Sequence, residues 1–290
     1  MNQKFLNILT ILLTVILSGL QMLPNESNNI VLQWLNTYLY WIAGTSAAIV
    51  IVLHIIDLFR GRERHIKEWL ATFLKHILDE HLAGEIYHTR ISILRVERGY
   101  KVFFKSLFYF VFSNFCNNFK NATWRNSLKD IAIHVMSDYL TVYVRYSYPK
   151  SKQSHAYFRL SDNADRNQFN GIANKCIEEG VPQFVHTVDI SGIDVTQPFE
   201  KLTNNEKCKV RKYMKNSYFA PSFYGSLRLM RRISNNLYAV PIALSDQSIW
   251  GVVIIDNVSD KKCDFEKDLA PFMSSYMKII NFSLSSLKKR

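Results

Sequence analysis

Between Val185 and Asn236 the chain gathers Asp189, Asp194, Tyr213, Tyr218, Phe219, Tyr224, Arg228, Arg231 and Arg232. These residue types hold ligands rather than transform them. Aromatic rings stack on a base, and an arginine fork takes a phosphate through paired hydrogen bonds. The Arg228-x-x-Arg231-Arg232 spacing would put three charges on adjacent positions of a short helix. Arg159, on the strand before this stretch, joins them as a further candidate. A solvated basic face would explain the same residues with no ligand, and Lys207, Lys209, Lys212 and Lys215 need none. Attraction to anionic headgroups, about 1 kcal/mol for each basic residue near the surface, competes as well.

Catalytic constellations do not stand out. There is no GxSxG, HExxH, P-loop or GxGxxG. The histidines fall singly. Cys116, Cys176, Cys208 and Cys263 form no CxxC pair and read as reduced thiols, not as a zinc site or a disulfide framework. Cys176 sits on an expected helix face and reads as core. The sequence therefore predicts no enzyme, no metal and no firm cofactor, with a cyclic nucleotide as the ligand to consider.

The charge is divided along the chain. The 290 residues carry a formal +12. Between Phe5 and Phe59 the only charged residues are Glu26 and Asp57, and only Lys4 precedes them. From Arg60 onward there are 35 basic and 22 acidic residues, a balance of +13. The uncharged quarter holds two apolar runs, about 5–23 and 38–59. A span needs about 20 residues at 1.5 Å rise to cross about 30 Å of hydrocarbon, so each run is long enough. Pro24-Asn25-Glu26-Ser27 breaks the first run. Tyr38, Tyr40 and Trp41 form an interfacial cluster at the start of the second. The connecting loop has no Lys or Arg, whereas Lys4, Arg60, Arg62, Arg64 and Lys67 flank the runs. Positive-inside then predicts a multi-pass hairpin in the inner membrane with both termini cytoplasmic. Gly44 and Ala48 could support close helix packing. His54 and Asp57, three apart near the inner end, are a polar pair at headgroup level or facing a neighbouring helix.

Residues 61–84 form the connecting helix. Ile66, Trp69, Leu70, Phe73, Leu74, Ile77 and Leu78 recur at the spacing of an amphipathic helix, and Gly84 is its stop. Beyond it, residues 85–290 read as one cytoplasmic domain. Strands are expected at Arg90–Val96, Leu140–Tyr146 and His155–Leu160, with Glu97-Arg98-Gly99 as a turn. The short apolar run Leu107–Phe112 is a core strand or helix. A helix is expected at Gln168–Glu179, closed by Gly180. Tyr238–Leu244 and Ile249–Asp256 make a hairpin, and a long amphipathic helix runs from Phe265 to the end.

The stretch Gly171-Ile172-Ala173…Glu179-Gly180-Val181-Pro182, followed by Tyr238-Ala239-Val240-Pro241-Ile242 and Ile249-Trp250-Gly251-Val252-Val253-Ile254-Ile255-Asp256, resembles a GAF domain over roughly residues 66–288. The resemblance implies an α+β fold, an antiparallel sheet with flanking helices, behind an N-terminal transmembrane α-hairpin. It implies a pocket between one sheet face and the region Val185–Asn236, hence the ligand candidates Arg159, Asp189, Tyr218, Phe219, Tyr224, Arg228, Arg231 and Arg232. It also implies that Arg62–Ala83 and the C-terminal helix pair between copies in a homo-oligomer. The Cys-His pair of bilin-binding members and the Asn-Lys…Phe…Asp-Glu signature of phosphodiesterase members are not recognisable here.

No kinase, cyclase or DNA-binding segment follows the GAF-like part, so the expected output is the hairpin. The layout resembles bacterial two-span effectors of nucleotide-signalled antiviral defence, which damage the inner membrane. The expectation is a membrane-anchored sensor of a small molecule, a nucleotide second messenger, with the bilayer and that nucleotide as partners. The alternative is a membrane-tethered adaptor that recruits a protein without a ligand. Nucleic-acid binding rests on charge alone and is not expected.

Overall fold

The computed structural model describes residues 38, 41, 45, 61–85, 87–112, 129, 131–148, 157–160, 169–229, 233–244, 248–259 and 263–288. The chain divides into two compact units, Met1–Ile66 and Lys67–Arg290. In the first unit Tyr38, Trp41, Thr45 and residues 61–66 are helical, and Thr45 Oγ1 donates to the Trp41 carbonyl at 2.8 Å. The remainder of the two apolar runs, with Gly44, Ala48, His54 and Asp57, lies outside the described residues. Among the described residues no helix is long and apolar enough to cross a membrane.

The second unit is built on a six-stranded sheet with the order β3-β2-β1-β6-β5-β4. Its strands are β1 (Thr89–Arg98), β2 (Asp138–Ser147), β3 (Tyr157–Arg159), β4 (Gln183–His186), β5 (Asn236–Ala243) and β6 (Ile249–Asn257). Every neighbouring pair is antiparallel. The alternation in β1 explains its place at the centre. Ile91 and Ile93 face one side, and Leu94 faces the other; all three are buried.

Helices cover both faces. On one lie α1 (67–81) and the C-terminal α7 (Ala270–Lys288). Leu70, Leu74, Ile77 and Leu78 of α1, and Met273, Met277, Ile280 and Leu284 of α7, are buried at helical spacing. The two helices meet through ring contacts of Tyr276 with Phe73 and His81, and His81 Nε2 shares a hydrogen bond with the Tyr276 hydroxyl. On the other face lies α3 (Ile172–Glu179). Its Ile172, Ala173 and Cys176 pack with Leu94, Leu140, Val185, Leu237, Ala239 and Val252. Between β4 and β5 a helical insertion, α4 (Asn204–Asn216) and α5 (Tyr224–Leu229), closes its own small core around Val210, Tyr213, Met214, Phe219 and Leu227. Thr203 and Glu206 start α4 with a reciprocal capping box.

Three expectations are corrected. The expected turn Glu97-Arg98-Gly99 is not one: β1 continues through Arg98, and α2 (Gly99–Phe112) begins at once. Gly99 permits this because a Cβ there would lie 2.5 Å from the Val135 carbonyl oxygen and 2.7 Å from that of Ser137. The apolar run Leu107–Phe112 belongs to that helix. Helix α3 starts at Ile172 and not at Gln168, because Asn170 forms a bridge with Phe219 and Gly171 adopts φ +86°. The terminal helix is two pieces, α6 (Phe265–Asp268) and α7, separated at Leu269. Both strands of the expected β5–β6 hairpin are present.

Candidate functional site

Strands β1, β2 and β6 each place polar side chains on the face that α3 covers. Arg90 and Ser92 precede the buried Leu94 at alternate positions of β1. Arg145 is the register partner of Ser92, and its Nε donates to Ser92 Oγ at 2.9 Å. Asp256 is the partner of Arg90 across β1 and β6, and Arg90 Nε donates to Asp256 Oδ2 at 2.8 Å. Ser234 Oγ donates to the other carboxylate oxygen at 2.7 Å. Tyr213, from α4, donates its hydroxyl to the Ser234 carbonyl at 3.2 Å. Burial holds the Tyr213 phenol well above its ordinary range, so it stays neutral.

These groups surround a cavity of about 80 Å³. Its roof is Asn170, Gly171, Ile172 and Ala173, the entry to α3, and its apolar walls include Leu94, Phe158, Phe219, Leu237 and Ile254. The entry to α3 is fixed by backbone bonds to the loop after α4. Gly171 N–H donates to the Tyr218 carbonyl at 3.0 Å, and Ala220 N–H to the Phe169 carbonyl at 2.9 Å. Gly171 is required on two counts. Its φ is +86°, and a Cβ would sit 2.7 Å from Phe219 Cζ. Helix α3 has Gly171 as its N-cap and therefore no side-chain cap at this end.

Of the residues singled out from the sequence, Tyr213 and Phe219 line this cavity. Arg159 contributes its carbonyl, which accepts from Asn170 Nδ2 at 2.7 Å. Tyr218 lies beside the site at φ 61°, with Lys175 Nζ 3.7 Å from its ring centroid. Tyr224 holds the insertion together, donating to the Val195 and Gln197 carbonyls. Asp189 is an exposed turn residue; the Ser191 backbone N–H, with the Ser191 hydroxyl, holds its carboxyl below the ordinary range. Arg228 is in α5, its side chain outside the described residues, and Arg231 and Arg232 lie outside them as well.

The sequence reading missed Arg90, Ser92, Arg145, Asn170, Ser234 and Asp256. A signal was present: Arg90-x-Ser92-x-Leu94 puts polar residues at strand-alternate positions leading into the core face. The pairing of Arg90 with Asp256, 166 residues apart, had no local signature. Among the described residues no cluster of His, Cys, Asp and Glu could hold a metal ion. An open surface groove at the start of α4, lined by Phe199, Lys207, Cys208 and Arg211, has Arg211 over the Phe199 ring. It encloses little.

No protein-family model matches the chain, and no curated protein sequence matches it. Similar backbones occur among solved structures. A type II free methionine-R-sulfoxide reductase from Thermoplasma acidophilum is 10% identical, with a TM-score of 0.38 over 78% of this chain and 96% of that one. The GAF domain of A. aeolicus Nlh2 in an inactive state is 17% identical, with a TM-score of 0.32 over 81% and 94%. The NreA protein of Staphylococcus aureus, mutated in its nitrate binding site, is 12% identical, with a TM-score of 0.33 over 71% and 94%.

Proposed function

We propose that this chain is a membrane-tethered, GAF-like sensor of a small molecule, with the cavity beneath α3 as its ligand site. The observation that carries the reading is convergence. Arg90, Ser92, Arg145, Asn170, Ser234 and Asp256 come from five separate segments and line one cavity between a sheet face and a helix entry. A packed interior has no need of such a polar chamber, whereas ligand sites combine apolar walls with a few placed polar groups.

Ligand size follows from volume. Pockets for drug-sized molecules run about 300–1,000 Å³, against about 80 Å³ here. That favours a ligand of a few heavy atoms over a nucleotide. The tether rests on the two apolar runs of the sequence and their basic flanks. Helix α1 follows the second run in sequence, so a ligand-dependent change in the pairing of α1 and α7 is the proposed output. The outer faces of these helices expose Trp69, Phe272, Ile279 and Phe282, which supports pairing between copies. Control of a membrane-damaging hairpin in antiviral defence remains a proposal supported by layout. The adaptor reading leaves the polar cavity without a role.

The test is thermal unfolding of the full chain in detergent with small carboxylates, inorganic oxoanions and cyclic nucleotides. A ligand at 100 times its Kd stabilises by about 2.7 kcal/mol. Small anions should raise the midpoint, and Arg145→Met should remove the effect. If no small anion raises it, the site reading fails. In cell fractionation the chain should stay with membranes through a carbonate wash and leave only with detergent; release by carbonate would remove the hairpin.

A further inference from the structure

Helix α2 carries an apolar face that the domain leaves uncovered. Val102 and Ser106 are fully buried, and Val102 forms a small core with Ile131 and Tyr139, so theirs is the inner side of the helix. Tyr100, Phe104 and Leu107 recur at i, i+4 and i+7 on the other side. All three are exposed, Phe104 by 64%. The neighbouring segment extends the patch. The Gly99 N–H donates to the Ser137 carbonyl at 2.8 Å, which ties the start of α2 to the turn at 134–136. In and before that turn Met136 is 86% exposed and Ile133 65%. Large apolar side chains gathered in this way mark an interaction surface, whereas single ones scattered over a surface do not.

The charge around this face is basic. From Glu97 to Asp138 the sequence holds six Lys and Arg against three acidic residues. Glu97 is buried, with Lys105 Nζ 2.6 Å from its carboxylate, and Asp138 lies 3.3 Å from Arg98. Lys101 and Lys129 are exposed. A second copy meeting this face with its own would bring like charges together. An anionic bilayer supplies the opposite charge. Aromatic and aliphatic side chains on one side of a helix, with lysines beside them, suit the boundary between headgroups and acyl chains. Each basic residue near an anionic leaflet adds attraction.

We propose that the outer face of α2, with Ile133 and Met136, docks on the surface of an anionic phospholipid bilayer. Phe104, Leu107 and Met136 enter the headgroup–acyl boundary, and Lys101 and Lys129 meet the headgroup phosphates. A tethered domain needs little affinity for this, because the tether keeps the face at a high effective concentration beside the bilayer. The inference rests on the tether proposed above and not on the cavity beneath α3.

The test uses the full chain in vesicles of phosphatidylcholine, alone or with one-third phosphatidylglycerol. A fluorophore is placed at Met136→Cys in a Cys116→Ser, Cys208→Ser background. Iodide in the water should quench it at least threefold less when phosphatidylglycerol is present, and a spin-labelled acyl chain should quench it more. High salt should reverse both changes. Phe104→Glu with Leu107→Glu should restore access to iodide. The comparison between lipids does not need that variant, so it stands even where the two substitutions unfold the chain. Equal iodide access in the two lipids overturns the docking surface. Shielding from iodide without acyl-chain quenching assigns the face to a second copy or another protein and overturns it as well. A carbonate wash of the same vesicles reads the tether separately. Release of the chain overturns the tether, and failure of the released chain to float with phosphatidylglycerol vesicles overturns both.

Discussion

Arg90 and Asp256 are register partners across β1 and β6, and the Arg90 Nε donates to Asp256 Oδ2 at 2.8 Å. One residue earlier and one later in the same strands, Asn257 Nδ2 donates to Thr89 Oγ1 at 2.8 Å. Thr89 Oγ1 in turn donates to the Glu85 carbonyl at 2.8 Å, in the short turn that follows α1. The cavity face of the sheet and the end of α1 are therefore joined through two adjacent residue pairs. A ligand that shifts Arg90 has a short covalent and hydrogen-bonded route to the helix pair on the opposite face.

The ion pair is expected to carry stability as well. Asp256 is buried, and its side chain meets Arg90 and Ser234. Asp256→Ala leaves the Arg90 charge in the site without its carboxylate, which costs about 3–5 kcal/mol for a buried pair. At about 2–4 °C per kcal/mol for a domain of this size, the midpoint should fall by about 10 °C in a circular-dichroism melt. Asp256→Asn keeps an acceptor for Ser234 and should cost less. A loss under about 1 kcal/mol for Asp256→Ala would show that the pair does not hold β1 to β6.

Gly171→Ala should damage the site and the fold together. At φ 86° and ψ 176° a residue with a Cβ is strained by about 1–3 kcal/mol, and the new methyl must displace the Phe219 ring. Ligand affinity should drop more than tenfold, because the cavity roof moves. Gly192→Ala is the control: a Cβ there meets nothing within 4 Å. If the two substitutions have equal effects on the urea midpoint, Gly171 does not have the role given to it.

The thiols should separate by burial. Cys176, on the inner face of α3, is fully buried, and burial pushes its thiol up to about 12. Cys263 is half-buried and is pushed up, again by burial, to about 11. Cys208 is exposed. In a Cys116→Ser background at pH 8, Cys208 should react first with a thiol reagent, and Cys176 only after denaturation. The sign of the linkage is set by the neutral form. Unfolded thiols ionise near 9.0, whereas the folded ones remain protonated, so the stability they contribute is complete below about pH 9. It is lost as pH rises toward 11 and 12. Cys176→Ala should flatten that alkaline decline. An unchanged slope would contradict it.

The parts of this fold that could be seen in the sequence were those written in local periodicity. The spacing of Leu70, Leu74, Ile77 and Leu78 marks α1, and the alternation in β2 and in the β5–β6 hairpin marks the centre of the sheet. Boundaries set by distant contacts were not visible. Gly99 could pass for a turn residue because the Val135 and Ser137 carbonyls that crowd it lie more than thirty positions away in sequence. The entry to α3 is fixed by Tyr218 and Phe219, not by its own residues. The site was hidden for the same reason. Residue types that advertise ligand binding, clustered between Asp189 and Arg232, drew the reading to the insertion. There Tyr224 and Asp189 turn out to secure loops. The cavity is lined instead by lone polar residues of long strands, which become a set only when β1, β2 and β6 are paired.

A ligand held between α3 and the sheet should alter the helix pair on the other face. Hydrogen–deuterium exchange of the full chain is the test, with and without whichever small anion raises its melting midpoint. Slower exchange is predicted at residues 169–176, where the ligand is held, together with a change at residues 67–85 and 270–285. Protection confined to residues 199–211, with none at 169–176, would place the ligand in the surface groove of α4 and contradict the account.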